Sequence, residues 1–168
     1  MALFSLHSVP TITKILAPTD FSEDSARALE YAEEIARKFG AEIVMIHVDQ
    51  PLAPVIIAPE FGTGFDMGAV SRLAEEQRLL AQRELDTIAS RLREAGLKSR
   101  GLLKVGAPFL EILTAAHSEN ADLIVMGTHG RTGLAHVLMG SVAERVVNRA
   151  NCPVLTVRHP DRKLNHRS

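Results

Sequence analysis

The chain has 168 residues, 46% of them hydrophobic and 23% charged, which is typical of a single globular domain with an aliphatic core. Nineteen basic and twenty acidic residues leave a net charge of −1, which argues against a general nucleic-acid binder. The apolar runs are strand-sized and the one cysteine, Cys152, has no internal disulfide partner. We therefore expect a cytoplasmic protein without a secretory or membrane-spanning segment.

The first half of the chain alternates apolar strands with amphipathic helices. Strands are predicted at residues 12–17 and 43–48, and between them a helix at 22–39, with Ser22 as its N-cap. Residues 51–68 contain three prolines and three glycines, which predicts a loop. A long helix is predicted at residues 70–95, with its inward stripe formed by Leu73, Leu80, Leu85, Ile88 and Leu92.

The second half continues the alternation. It predicts strands at 102–105, 123–126 and 154–157, and helices at 108–117 and 141–150, the latter with Val142, Val146 and Val147 inward. This order of strands and helices predicts an α/β fold with a parallel sheet and helices on both of its faces. We expect the domain to occupy residues 12–158, with loose tails at 1–11 and 159–168.

Ligands of open parallel sheets bind beyond the carboxyl ends of the strands, and the turn after the first predicted strand is polar. Pro18, Thr19 and Asp20 place a hydroxyl and a carboxylate at that edge. Asp20 is also the one plausible ligand for a Mg²⁺ ion accompanying phosphates. From these residues alone, capping of the next helix is the alternative role, because such side chains favour helix starts.

The turn after the fourth predicted strand is rich in glycine. Residues 127–133 contain three glycines, and Gly140 and Ser141 open the next helix. Glycines leave backbone N–H groups uncovered, and a helix N-terminus behind them attracts phosphate. His129 could touch phosphate and Arg131 could reach a terminal phosphate, or either side chain could point to solvent. A flexible loop with an ordinary helix cap is the alternative for the whole turn.

The glycines form the pattern Gly-x2-Gly-x9-Gly-Ser, with Gly127, Gly130, Gly140 and Ser141. Further motifs follow in order along residues 13–158: 18–22, 46–49, 106–108, 121–130 and 152–157. In this pattern and order the chain resembles the universal stress protein family, in its ATP-binding form.

The resemblance implies an open, Rossmann-like sheet of five parallel strands in the order 3-2-1-4-5. It implies an adenine nucleotide, ATP or else ADP or AMP, between the first and fourth strands. Pro18, Thr19 and Asp20 would meet the adenosine, and the backbone of Val48 would read the adenine. Ribose and phosphates would lie along residues that end the fourth strand and begin the fourth helix: Met126, Gly127, His129, Gly130, Gly140, Ser141 and Val142.

The resemblance also implies a homodimer through the last strand, 154–157, whose apolar edge would otherwise be exposed. The leading hypothesis is an ATP-binding, dimeric regulatory protein of the stress response. Two alternatives stay open: a slow ATPase on the same scaffold, for which no general base is evident, and a dimerisation module that works without nucleotide. We expect no nucleic-acid or membrane partner.

Overall fold

The computed structural model describes residues 11–51, 67–130 and 139–158. Nearly all of the predicted tails, most of the predicted loop at 51–68, and Arg131 lie outside these ranges. Within them the chain forms five strands and four helices: β1 (Lys14–Pro18), α1 (Glu23–Phe39), β2 (Glu42–Asp49), α2 (Met67–Glu94), β3 (Ser99–Val105), α3 (Pro108–Ser118), β4 (Leu123–Gly127), α4 (Ser141–Arg149) and β5 (Val154–Val157).

The strands form one parallel sheet in the order β3-β2-β1-β4-β5, which confirms the predicted topology. β1 is central, and Leu16 pairs with Val44 of β2 on one side and with Ile124 of β4 on the other. From β1 the chain moves outward to β2 and β3, then returns to β4 and β5 on the opposite side. The turns after β1 and β4 therefore lie side by side at the switch point, where such sheets bind ligands.

Helices cover both faces of the sheet, as predicted. α1 and α2 pack on one face over a core that includes Ile15, Ile43, Met45, Leu85, Leu92 and Val125. α3 and α4 pack on the other face over Leu16, Val44, Ile46, Ile112, Ile124, Met126 and Val146. Neighbouring residues of β1, β2 and β4 alternate between the two cores, as the two-residue period of a strand requires. The central strands are therefore buried on both sides.

β3 begins at Ser99, three residues earlier than predicted. Ser99 is buried and its Oγ donates a hydrogen bond to the Ala89 carbonyl at 2.9 Å. Gly101 lies so close to α2 that an added Cβ would come within 2.7 Å of the Leu85 Cβ. Arg100 is paired with two carboxylates. The first three residues of β3 are polar or glycine, so the apolar pattern of the sequence predicts only the rest of the strand.

The α2 helix begins at Met67, three residues earlier than predicted, and two of its predicted inward leucines are not covered. Leu85 and Leu92 are buried, but Leu73 and Leu80 are 51% and 50% exposed. A helix of 28 residues is about 42 Å long, whereas a strand of seven residues is about 23 Å long. The first half of α2 therefore extends past the strands beneath it.

β1 and α4 also differ from the sequence-based prediction. β1 runs from Lys14 to Pro18 rather than over residues 12–17. The prediction that Val147 faces inward is wrong, because Val146 and Ala143 form the buried side of α4 and Val147 is largely exposed. Among the described helices, none combines the length and apolarity that crossing a bilayer requires.

Candidate functional site

The turn between β1 and α1 is held by hydroxyl and carboxylate hydrogen bonds. Asp20 Oδ1 accepts from the Ser22 N–H at 3.1 Å and from Ser22 Oγ at 2.5 Å. Ser22 is also the N-cap of α1, and its Oγ accepts from the Ser25 N–H at 3.3 Å. Thr19 Oγ1 accepts from the Phe21 N–H at 3.0 Å. These residues shape the start of α1 and fix the Asp20 carboxylate through its Oδ1 atom.

The same turn contacts β2 through the stacked rings of Phe21 and His47. Phe21 has a φ of +62°, in the left-handed region that residues other than glycine rarely adopt. Its ring stacks on His47, with 4.5 Å between ring centroids. His47 Nδ1 lies 2.8 Å from the Thr19 carbonyl oxygen. These contacts hold Thr19 and Asp20 at the carboxyl edge of the sheet, and the sequence alone does not reveal the pairing of Phe21 with His47.

Gly130 faces the Asp20 carboxylate. A Cβ added at Gly130 would lie 2.6 Å from Asp20 Oδ2, closer than real Cβ atoms come to any neighbour. The two predicted turns therefore meet in space, at the switch point between β1 and β4. Only a residue without a side chain lets the carboxylate come this close to the turn.

Gly127 has a different reason to be glycine. An added Cβ would lie 3.0 Å from the carbonyl carbon and oxygen of Asp24, in the first turn of α1. Gly127 ends β4 under this helix turn, and its small size lets the helix approach the strand. The structure thus gives Gly127 a role in packing, whereas the sequence pattern suggests phosphate contact.

The amino terminus of α4 lies at the same edge. Gly140 is the N-cap of α4, and no side chain among the described residues caps the helix there. The Gly140 N–H donates to the Thr128 carbonyl at 2.7 Å, so it is engaged within the protein. Ser141 and Val142 are the first two residues of the helix, whose N–H groups have no partner within it. They are better placed than Gly140 to donate to an anion.

His129 points inward rather than to solvent. Its side chain is 7% exposed, and its Nδ1 lies 2.9 Å from Thr128 Oγ1 and 3.8 Å from Asp24 Oδ2. The sequence suggests phosphate or solvent as its neighbours and gives no indication of Asp24. Residues 24 and 129 are far apart in the chain, so no local pattern indicates their contact.

The side chains of Val48 and Met126 face the core beneath α3 and α4. Met126 is buried in that cluster, Val48 is half-buried against it, and Pro18 is buried at the end of β1. Val48 can therefore offer a ligand mainly its backbone. The Ile46 carbonyl accepts from the Thr19 N–H at 2.8 Å, on the β1 side of β2. Along a strand, the N–H and C=O groups of residues two apart point to the same side. The N–H and C=O of Val48 therefore point to the β1 side of β2, as the Ile46 carbonyl does, but at a level beyond the end of β1.

Acidic and metal-ligating side chains are sparse at this edge. In the described ranges, no three His, Cys, Asp or Glu side chains come together as a metal site would require. Asp20 is the carboxylate that faces Gly130, while the buried Asp24 lies against His129 of the same turn. A Mg²⁺ ion here would need oxygen ligands from a bound phosphate and from water, as Mg²⁺ commonly takes in nucleotide sites.

A separate groove of about 300 Å³ lies at the opposite, amino edge of β4 and β5, between the ends of α3 and α4. Asp122 lines it, and Asp122 Oδ2 accepts from Thr13 Oγ1 at 2.7 Å and from the Thr13 N–H at 2.8 Å. These bonds lower the pKa of Asp122. Burial, and then the charge of Asp122, raise the pKa of the neighbouring Cys152 thiol. This edge fastens β1 to β4 and lies a strand's length from the glycine turn.

Comparison with known proteins decides the family. A sequence model of the universal stress protein family matches residues 11–158. The chain belongs to this family. Universal stress protein MJ0531 of Methanocaldococcus jannaschii is 39% identical over 150 residues, covering 89% of this chain and 84% of its own length.

Solved structures share the fold. That of MJ0577, from the same archaeon, has a TM-score of 0.76 at 32% identity and covers 90% of this chain and 99% of its own. A universal stress protein in complex with cAMP is 27% identical, with a TM-score of 0.57 and coverage of 88% and 98%. One from Archaeoglobus fulgidus, in complex with dAMP, is 25% identical, with a TM-score of 0.59 and the same coverage.

Proposed function

We propose that this universal stress protein binds an adenine nucleotide, ATP first among them, between the turns that follow β1 and β4. In this proposal it acts as a dimeric regulatory protein of the stress response, in the cytoplasm, through a domain spanning residues 12–158. The observation that carries the proposal is the approach of Gly130 to Asp20 at the switch point of the sheet. Two family members of the same fold were solved with adenine nucleotides, which supports the choice of ligand.

The phosphate end of the ligand would lie between the glycine turn and α4. The N–H groups of Ser141 and Val142 begin a helix of nine residues, whose amino terminus carries a partial positive charge. Gly130 leaves its own backbone open to a close approach from this side. Arg131, just after Gly130 in the chain, would add a cation for the terminal phosphate. An anion is the ligand that suits such an arrangement of donors.

The adenosine end would lie over β1 and β2. Asp20, Thr19 and Pro18 form the edge of this space, and Asp20 Oδ2 is the acceptor next to Gly130. The backbone of Val48 faces the gap past the end of β1, where it can pair with the edge of a base. With ATP bound, Asp20 would also help to hold a Mg²⁺ ion on the phosphates.

Calorimetric titration with ATP, AMP and GTP tests this assignment. We expect ATP to bind more tightly than GTP, because Val48 offers fixed backbone groups to the base. Gly130→Val should abolish binding, since its side chain would fill the space beside Asp20. Gly96→Ala, at a helix end far from the site, is the matched control and should bind as the parent chain does. Equal affinity of Gly130→Val and the parent chain for ATP would contradict the site.

Dimerisation would proceed through β5. β5 pairs with β4 on one side and is the last strand in the order of the sheet, so its other edge is open within the described residues. Leu155 is 37% exposed on this strand. An open apolar edge favours pairing with another strand. A second copy related by a two-fold axis would cover both edges at once.

A further inference from the structure

A buried carboxylate and a buried imidazole meet beneath the glycine turn. Asp24 lies in the first turn of α1 and its side chain is 5% exposed, while the side chain of His129 is 7% exposed. Asp24 Oδ2 and His129 Nδ1 are 3.8 Å apart, and Thr128 Oγ1 lies 2.9 Å from the same ring nitrogen. The pair belongs to neither hydrophobic core.

The position of Asp24 explains how a carboxylate remains stable there. A buried charge is costly unless it is compensated. The first turn of a helix favours a negative charge, and the polar His129 ring faces the carboxylate at 3.8 Å. The backbone of Asp24 also packs against Gly127, so one residue of α1 touches both ends of the segment 127–129.

That segment leads into the proposed phosphate site. The Thr128 carbonyl accepts from the Gly140 N–H at 2.7 Å, which ties the segment to the amino terminus of α4. Gly130 follows His129 directly and faces Asp20. A shift of the His129 ring would therefore move the backbone that lies between these two attachments.

We infer that Asp24 is a positioning residue of the nucleotide site: it orients His129 and, through it, sets the backbone of residues 128–130 for the phosphates. The inference rests on the proposed function and adds a residue of α1 that contacts no ligand itself. Asp24→Asn keeps the size of the side chain and replaces the carboxylate that faces the ring by an amide. Loss of a negative charge near the phosphates would by itself strengthen ATP binding, so a weaker affinity reports the changed orientation of the ring.

The test compares ATP with adenosine in a double-mutant cycle of Asp24→Asn and His129→Gln, with titration calorimetry as the readout. Asp24→Asn should weaken ATP binding about tenfold and adenosine binding less than twofold, because the segment 128–130 lies at the phosphate end. In the His129→Gln background, Asp24→Asn should cost less than twofold, since its effect passes through His129. Glu23→Gln is the matched control: it removes one charge from the same helix turn at an exposed position and should leave both affinities unchanged.

The outcomes separate the two proposals. A parent chain that binds neither ATP nor adenosine refutes the proposed function, and the role of Asp24 falls with it. If the parent chain binds both ligands, three results overturn the role of Asp24 alone. These are unchanged ATP affinity in Asp24→Asn, an equal loss for ATP and adenosine, and a loss that persists in full without His129. If Asp24→Asn does not fold, a His129→Gln variant that binds ATP as tightly as the parent chain overturns the role as well.

Discussion

Replacing Gly130 by alanine should lower the affinity for ATP more than it lowers the free energy of unfolding. Gly130 has a backbone conformation that alanine adopts, and among the described residues the added methyl group meets one obstacle, Asp20 Oδ2 at 2.6 Å. An ordinary contact begins at 3.4 Å, so the carboxylate or the turn must move by about 0.8 Å. Asp20 Oδ1 is held by two hydrogen bonds from Ser22, which resist that movement.

The expected loss of ATP affinity is estimated from the hydrogen bonds between Ser22 and Asp20. Hydrogen bonds to a charged group contribute about 1.5–3 kcal/mol each, and the displacement weakens them rather than removes them. We expect Gly130→Ala to lose about 1.4 kcal/mol of ATP binding, a tenfold change in Kd. The free energy of unfolding should fall by less than ~1 kcal/mol, because Asp20 is only partly buried and its hydrogen bonds to Ser22 are weakened rather than broken.

Titration calorimetry with ATP and urea denaturation of the same samples measure the two quantities. Gly96→Ala serves as the control, because its surroundings are open but its φ of +81° strains any alanine. It should lose about 1–2 kcal/mol of stability and no ATP affinity. The reasoning is refuted if Gly130→Ala binds ATP within twofold of the parent chain, or if Gly96→Ala weakens binding as strongly.

Three further predictions concern other parts of the fold. Gly127→Ala should lower the free energy of unfolding by about 1–3 kcal/mol in urea denaturation, because its methyl group would press on the backbone of Asp24. Asp122→Asn should destabilise the chain at pH 7 by less than ~1 kcal/mol, since solvent screens this partly exposed carboxylate. The hydrogen bonds from Thr13 lower the pKa of Asp122, so this difference should vanish as the pH falls well below its ordinary value of 3.8. Leu155→Lys should convert a dimer at micromolar concentration into a monomer in sedimentation analysis, because a charge would face the partner strand.

Each of these three predictions can be contradicted by one measured outcome. A Gly127→Ala chain as stable as the parent would show that α1 can move away from β4 at no cost. An Asp122→Asn difference that grows at low pH would mean that the charge opposes folding. A parent chain that sediments as a monomer, or a Leu155→Lys chain that remains a dimer, would exclude β5 as the interface.

Local signals in the sequence predict the strands, the helices and the parallel sheet well, whereas the order of the strands was implied by the family resemblance. The apolar strands are buried on both faces, and the helix limits near Ser22 and Gly40 are set by residues with one dominant local role. The prediction fails where a residue acts across the fold. Ser99 can be buried in a strand because its hydroxyl donates a hydrogen bond to a carbonyl of α2. Leu80 is exposed because the first half of α2 extends beyond the sheet.

The candidate site shows the same division. The resemblance to the universal stress protein family implies the strand order, and from that order the turns containing Asp20 and Gly130 are expected to meet, as they do. It assigns Gly127 to phosphate contact, whereas the structure shows a packing reason for that glycine. The inward ring of His129 and its neighbour Asp24 cannot be predicted locally, because their contact exists only once α1 lies on β4.

The central place of β1 also matters while the chain is being synthesised. β1 ends at residue 18, but the strand that pairs with its second edge is complete only at residue 127. At translation rates of about 5–20 residues per second, that edge waits roughly 5–20 s for its neighbour. During this interval the nascent chain presents an apolar strand with unpaired backbone groups, the kind of surface that chaperones shield. The rate of translation across residues 19–127 thus sets how long the growing polypeptide is vulnerable to aggregation.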